Sequence, residues 1–363
     1  MSAGNRVISE NAAKRILAWW NADAVDRPLM NVKAPRKRPR FAAPEVPEPA
    51  DAMQRWVDPD YRTKAWERTF ATTHYLGEAF PYFDSNIGPG SLGLFLGAEP
   101  RFAPQTVWYH PVINDLRTAP DLRLDLQNRW FQAHVRLIEE ALARANGRYL
   151  VSLPDLIENL DTLAALRGNA GLLVDLIACP SEVHRFQRQI LSLYFEYYDD
   201  LYARVTRPGM GCCFAAFAIW GPRRVAKLQC DFSAMISPKM FAEFVVPYLA
   251  EQCRRLDYSV YHLDGTEAIR HLDLLLDIRD LNAIQWTPGA GQPGTGSPKW
   301  YPLLERIRAK GKAAEWLGLE IHEVQPLVER FGPAGLYIST QARTREEGLE
   351  LLRAARKWKK MAG

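Results

Sequence analysis

The segment Tyr261-His262-Leu263-Asp264-Gly265 places an imidazole and a carboxylate two residues apart. It follows the alternating run Tyr258-Ser259-Val260-Tyr261 and precedes a helical pattern from Glu267 to Leu276. Residues i and i+2 of a strand point to one face, so His262 and Asp264 are expected to project together from a strand tip. An imidazole with an ordinary pKa of about 6.5 gives or takes a proton near neutrality, and an adjacent carboxylate fixes its tautomer. The same pair suits a divalent ion such as zinc or manganese, although two ligands do not complete a site. The plainer role for Asp264 is to cap the following helix at Thr266 or Glu267.

Other chemistry-bearing residues stand at the ends of expected strands. Asp84 and Asn86 share one face at the end of Phe80–Asn86, before the loop Ile87-Gly88-Pro89-Gly90. Asp155 follows Pro154 at a strand end, and Asp231 lies in the loop Gln229-Cys230-Asp231-Phe232-Ser233. Each also has a bland role in a turn or a cap. Trp220 before Gly221-Pro222, and Gln285-Trp286 before Thr287-Pro288, are expected to wall a ligand or to pack beneath loops. His74, His110, His134, His184, His271 and His322 fall on helical or loop stretches and read as surface or structural residues.

These tips need a frame. From Phe80 to Trp358 strand patterns alternate with helical ones, which implies a parallel sheet buried under helices. Strands are expected at 80–86, 148–153, 212–219, 258–264, 283–286, 312–317 and 335–340. A helix is expected over Pro238–Leu256, with Ser237 as its cap and Pro238 at its first position. About eight strand–helix units predict a closed (β/α)8 TIM barrel, whose sites lie at the C-terminal ends of the strands. Residues 1–75, with an amphipathic helix over 5–22, a Pro-bounded strand candidate over Asp26–Val32 and a Pro-rich connector over 34–50, read as an N-terminal helical extension packed on a barrel of residues 76–363. An open doubly wound sheet would need a nucleotide fingerprint. Gly289-Ala290-Gly291 and Gly294-Thr295-Gly296 lack the third glycine and the prompt helix.

Composition narrows the class. The 363 residues are 47% hydrophobic and 24% charged, a globular balance, with a net charge of +4. The one basic cluster, Arg36-Lys37-Arg38-Pro39-Arg40, lies in the connector and reads as a solvated segment, not a nucleic-acid patch. No apolar run reaches membrane length, and no signal peptide is read, so a cytoplasmic protein is expected. The five cysteines (Cys179, Cys212, Cys213, Cys230 and Cys253) form no C-x-x-C pair and read as reduced buried thiols.

Four stretches in order resemble the uroporphyrinogen decarboxylase superfamily, which also contains cobalamin-dependent methyltransferases. They are Phe83-Asp84 with Pro89 and Leu92-Gly93, Leu166-Arg167-Gly168 after Asp155, Ser237-Pro238 with Phe241 and Pro247, and the turn from His262 to Gly265. The likeness spans residues 75–355. It implies a (β/α)8 barrel, with Asp84 in the place where the decarboxylases meet pyrrole nitrogens. In the methyltransferase branch His-x-Cys-Gly supplies zinc ligands where this chain has His262 and Asp264. The departures are as informative. The decarboxylases' N-terminal arginine loop is replaced by Asp26-Arg27-Pro28, and Gly335 to Thr340 lacks their Gly-His pair. Turnover of uroporphyrinogen is therefore not expected. A thiolate zinc site is not written either, since Asp264 and Ser339 stand where cysteines would.

The expected catalytic residues are His262, Asp264 and Asp84. The expected substrate contacts are Asn86, Asp155, Trp220, Asp231, Gln285 and Trp286. Three functions fit. The first is a methyltransferase that moves a one-carbon group between a small methylated substrate and a corrinoid protein. The second is a decarboxylase-type lyase on a small acid or pyrrole, and the third a non-catalytic ligand-binding barrel. The resemblance implies a corrinoid on a partner protein as cofactor, and the His262/Asp264 pair a divalent metal. Oligomeric state is not legible.

Overall fold

The computed structural model describes residues 7–214 and 216–360. Its strands in chain order are β1 (Leu29–Pro35), β2 (Thr73–Gly77), β3 (Tyr82–Phe83), β4 (Glu99–Phe102), β5 (Val107–His110), β6 (Leu150–Val151), β7 (Cys212–Phe214), β8 (Ile219–Gly221), β9 (Val225–Gln229), β10 (Tyr258–Asp264), β11 (Ala283–Thr287), β12 (Ala313–Leu319) and β13 (Leu336–Gln341). Seven of them form one sheet in the order β2-β1-β13-β12-β11-β10-β9. Every ladder in it is parallel except β1–β2 at the edge. Parallel neighbours require crossover connections, and here helices supply them: Pro238–Phe244 and Val246–Arg255 before β10, Tyr301–Ala309 before β12, and Ile321–Phe331 before β13. β9 is buried along its whole length and β11 along all but its last residue, as expected of strands covered on both faces. No helix of the described residues is long and apolar enough to cross a membrane.

The mixed α/β class therefore holds. The expected closed ring is not present as a continuous ladder among the described residues. Away from the main sheet, β3 pairs with β6 in parallel, Leu153 bridges Phe214 in parallel, and β7 pairs with β8 antiparallel. The last pair corrects the expected strand over 212–219. The chain turns back on itself through Phe217 and Ala218, both in the left-handed region at φ 62° and 58°. β9, not expected from the sequence, then enters the sheet.

The N-terminal segment is also more than a covering. β1 lies inside the sheet between β2 and β13. The helix Glu10–Trp20 starts at Ser9, whose side chain accepts from the Ala12 N–H. It ends in two buried tryptophans: Trp19 donates to the Ala314 carbonyl at 3.3 Å and Trp20 to the Trp220 carbonyl at 2.9 Å. The expected helix over Pro238–Leu256 does begin at Ser237, which caps Met240 N. It breaks at Val245, because Pro247 lacks the N–H that would continue the ladder.

β1 and β2 are pinned by a buried ion pair. Both terminal nitrogens of Arg27 meet Glu78, at 2.7 and 2.8 Å, and Glu78 also accepts from Met30 N at 3.0 Å. Both side chains are buried. Such a bidentate pair is satisfied as built, but removal of one partner strands a buried charge. Glu78→Ala is expected to cost about 3–5 kcal/mol in urea unfolding. A loss below 1 kcal/mol would show the pair to be dispensable.

Candidate functional site

Register decides which side chains meet. Gln229 lies opposite His262, His262 opposite Gln285, Gln285 opposite Glu315, and Glu315 opposite Tyr337. Partners in a parallel ladder share a face, so these five form a polar row across otherwise apolar strands. Lys227 lies two residues before Gln229 on the same face, and Asp264 two residues after His262.

The loop that leaves β9 brings Asp231 to the tip of β10. One ligand atom each from Asp231, His262 and Asp264 lies within 4.8 Å of the others. His262 Nε2 stands 3.8 Å from Asp264 Oδ2. The other ring nitrogen, Nδ1, is 2.5 Å from Gln285 Oε1. The Gln285 amide is oriented by its own Nε2, which donates to the Trp286 carbonyl at 2.7 Å and to Thr287 Oγ1 at 3.1 Å. Its oxygen therefore faces the ring, Nδ1 carries the hydrogen, and the Nε2 lone pair is directed toward the two carboxylates. Burial, reinforced by the Lys227 charge, pushes the His262 pKa down to about 4, against the opposing effect of its hydrogen bond to Gln285 Oε1. The ring is neutral at neutral pH. A neutral imidazole and two carboxylates make a hard, oxygen-rich donor set that fits a divalent ion.

Behind this trio lies a nest of acids around one cation. Lys227, 1% exposed, pairs with Asp155 at 2.7 Å and touches Gln229 Oε1. Glu158 accepts from Gln229 N at 2.8 Å. Asp161 accepts from Asp231 N at 2.7 Å and from Phe232 N at 2.8 Å, which fixes the start of the loop carrying Asp231. Burial raises Glu158 to about 8 against the pull of Lys227, and raises Asp161 as well. Asp231 has surface open to the cleft but is ringed by protein. Burial first, and then the charges of Asp161, Asp264 and Asp155, bring it to about 7. Asp264 is raised by burial. A cavity of about 490 Å³ opens onto Asp161, Gln229 and Asp231, with Ile157, Tyr109 and Phe232 among its walls.

The structure thus brings Asp155, Asp231, His262, Asp264 and Gln285 together. Asp84 and Asn86 are neighbours of Asp155, and one side-chain oxygen of each is engaged locally. Asp84 Oδ1 accepts from Asn86 N at 2.9 Å, and Asn86 Oδ1 accepts from Asp155 N at 2.5 Å. Arg62 holds the carbonyls of both residues at 2.6 Å. They brace the Asp155 loop. Trp220 is placed elsewhere: on the returning strand β8 it packs by the helix Glu10–Trp20 and donates to the Met210 carbonyl at 2.9 Å. Trp286 alternates with Gln285 and so points to the opposite face, with its ring 5.1 Å from that of Trp300.

Lys227, Glu158, Asp161, Gln229 and Phe217 escaped the sequence reading. Phe217 lies beside His262, with ring centroids 4.9 Å apart and the planes tilted by 44°. A signal existed for some of them. Lys227 and Gln229 are polar at i and i+2 in the apolar run Val225–Gln229, and Asp155, Glu158 and Asp161 recur every third residue.

No family model matches the chain, and no curated protein matches it. Among solved structures it is similar to a methyltransferase from Methanosarcina mazei, with a TM-score of 0.59 and 12% identity over 95% of this chain and 98% of that one. At that identity the likeness concerns the fold.

Glu158 supplies a test of the nest. Its folded pKa of about 8 lies above the ordinary 4.5, so between these values the folded state binds the extra proton. Stability therefore falls as pH rises from about 5 to about 8. Glu158→Gln is expected to flatten that slope in urea unfolding and to be the more stable form at pH 9. An unchanged slope would mean that Glu158 ionises freely.

Proposed function

We propose that this protein is a metal-dependent methyltransferase that moves a one-carbon group between a small methylated substrate and a corrinoid protein. One observation carries the reading: Asp231, His262 and Asp264 converge within 4.8 Å at the C-terminal ends of adjacent parallel strands, beside an open cavity. The structural likeness to a methyltransferase agrees with it. We further propose that β3, β6 and β7 fill the gap between β1 and β9, so that the strands enclose a β/α barrel with this site at its mouth.

In this reading Asp231, His262 and Asp264 would hold a divalent ion, which supplies Lewis acidity toward a substrate heteroatom when bound. Gln285 keeps the His262 lone pair on Nε2, the atom facing the carboxylates. Asp161 orients Asp231 through the backbone. Glu158, with its raised pKa of about 8, holds a proton at neutral pH. Lys227 pairs with Asp155 at 2.7 Å and offsets the mutual repulsion of the acids. The neighbouring acids favour a substrate with a cationic or hydroxyl-bearing group over a polycarboxylate. A decarboxylase role for Asp84 has less support, because Asp84 lies outside the walls of both the 490 Å³ cavity and a second cavity of 210 Å³.

The test begins with binding. Zinc and manganese titrations of the metal-free protein are expected to show one site per chain. Asp231→Asn, His262→Ala and Asp264→Asn should each abolish it. Gln285→Leu should weaken it about 10–100-fold, since an outer partner orients the ligand. Equal metal uptake by the wild type and His262→Ala would remove the metal. Turnover is then screened on methylated amines and methyl ethers, with and without a corrinoid protein. His262→Ala is expected to lose the reaction while keeping the fold. Efficient turnover of uroporphyrinogen, or transfer undiminished in His262→Ala, would overturn the reading.

A further inference from the structure

The cavity beside Asp231, about 490 Å³, is larger than a methylamine needs and lies in the range that holds a ring-sized ligand. One wall is the hairpin of β4 and β5, in which Pro100 pairs with Tyr109 and Arg101 with Trp108. The hairpin is firmly seated. Its turn accepts a hydrogen bond from Trp56 Nε1 at the Ala103 carbonyl, 2.8 Å away. Beyond β5, Val112 N and Ile113 N both donate to the Leu166 carbonyl. At Gly88, with φ 78°, a Cβ would stand 2.6 Å from the Val107 Cβ, so a larger residue would push the hairpin away. Tyr109 donates its hydroxyl to the Pro89 carbonyl, which commits the oxygen and leaves the ring as wall.

Most of the remaining surface is apolar. Val107, Ile157 and Phe232 line it and are buried. Trp108 on the hairpin is 64% exposed, and Met235, at the end of the short turn that begins with Asp231, is 45% exposed. Both line this same cavity, and an apolar ligand body would cover them. The charged groups of the wall are gathered at Asp161 and Asp231. Gln229 Nε2 donates to Asp161 at 3.3 Å and to Asp231 at 3.0 Å, which uses both of its hydrogens. Asp161 is further occupied by two backbone N–H groups, so Asp231 is the acceptor left to a ligand. None of the described wall residues is a lysine, arginine or histidine. A carboxylate or phosphate would therefore enter beside two acids with no counter-charge.

We propose that this cavity binds a neutral methoxyphenol, with its adjoining hydroxyl and methoxyl oxygens toward Asp231 and its ring against Tyr109, Phe232 and Trp108. The proposal rests on the methyl-transfer reading and deepens it by naming the substrate class. The phenolic O–H supplies the donor that Asp231 lacks. Asp231 also belongs to the trio with His262 and Asp264, so the methoxyl group would lie next to the candidate metal centre.

Isothermal titration of the metal-free full-length protein with 2-methoxyphenol tests this and needs neither turnover nor a partner protein. One molecule per chain is expected to bind. Ethylbenzene, which has the ring but no oxygen, should bind at least about tenfold more weakly, since it covers the Asp231 carboxyl without pairing it. The anion 4-hydroxy-3-methoxybenzoate should also lose about tenfold or more, because its carboxylate finds no cation in the wall. Trimethylammonium, which leaves the aromatic walls uncovered, should be weaker still than 2-methoxyphenol by a similar factor. Trp108→Ala changes an exposed side chain and so spares the fold; it is expected to weaken 2-methoxyphenol about 2–12-fold, the worth of one aromatic contact. No binding of 2-methoxyphenol, equal affinity for any of the three comparison ligands, or full affinity in Trp108→Ala would each overturn the proposal. The last result would leave the apolar rim as a face for another protein. Binding as expected with no methyl transfer to a corrinoid protein would keep the ligand site and retire the methyl-transfer reading, so the two fail separately.

Discussion

The site depends on one buried ammonium. Lys227 enters from the middle of β9, where its neighbours are apolar, and its charge reaches the carboxyls of Asp155, Glu158, Asp161 and Asp231. Carboxylates so close together repel one another, and burial penalises each of them. The Lys227–Asp155 pair at 2.7 Å gives this acidity a fixed counterion. The acids that Lys227 does not pair directly carry raised pKa values and so tend to keep their protons. The same charge disfavours the imidazolium form of His262. Burial and this lysine together leave the ring unprotonated, and the lysine offsets part of the repulsion among the gathered carboxyls.

The parallel ladder turns this chemistry into a row. Because partners in register face the same way, Gln229, His262, Gln285, Glu315 and Tyr337 cross five strands on one side. Their residue-by-residue alternation with Leu228, Leu263, Trp286, Trp316 and Ile338 gives the other side to the helices. A cavity opens onto Gln229 at one end of this row, and Phe217, which lines a second cavity and lies 4.9 Å from the His262 ring, holds its backbone at φ 62°, a conformation that costs a non-glycine residue free energy.

Much of this was legible from local pattern. The tip at His262 and Asp264 and the cap at Ser237 follow from strand parity and helix-start chemistry. The acid in the loop before that helix, Asp231, was visible as a residue type, although its approach to His262 depends on tertiary contacts. What escaped was the direction of the chain. Reading 212–219 as one ascending strand put Trp220 at a mouth, whereas the left-handed turn at Phe217 and Ala218 sends it back toward the helix Glu10–Trp20. Trp286 was misplaced by one residue of parity, since its neighbour Gln285 takes the site face. Lys227 went unread: its spacing from Gln229 in an apolar run is a local signal, but the full burial of that strand depends on distant neighbours. β1 was read as part of an extension, because its partner β13 lies some three hundred residues away. Ring closure is likewise a long-range property and has no local signature.

That pairing of β1 with β13 has a consequence for biosynthesis. During synthesis β1 is not bordered on both sides until β13 has left the exit tunnel. Until then Leu29, Met30 and Val32, which are buried in the finished sheet, have only β2 and local helices to cover them. Contacts of such sequence separation are paid for in loop-closure entropy before they give anything back, so the sheet completes late and slowly. The nascent N-terminal half is then the species that a holdase chaperone would meet, and truncation after residue 330 would leave it without its partner.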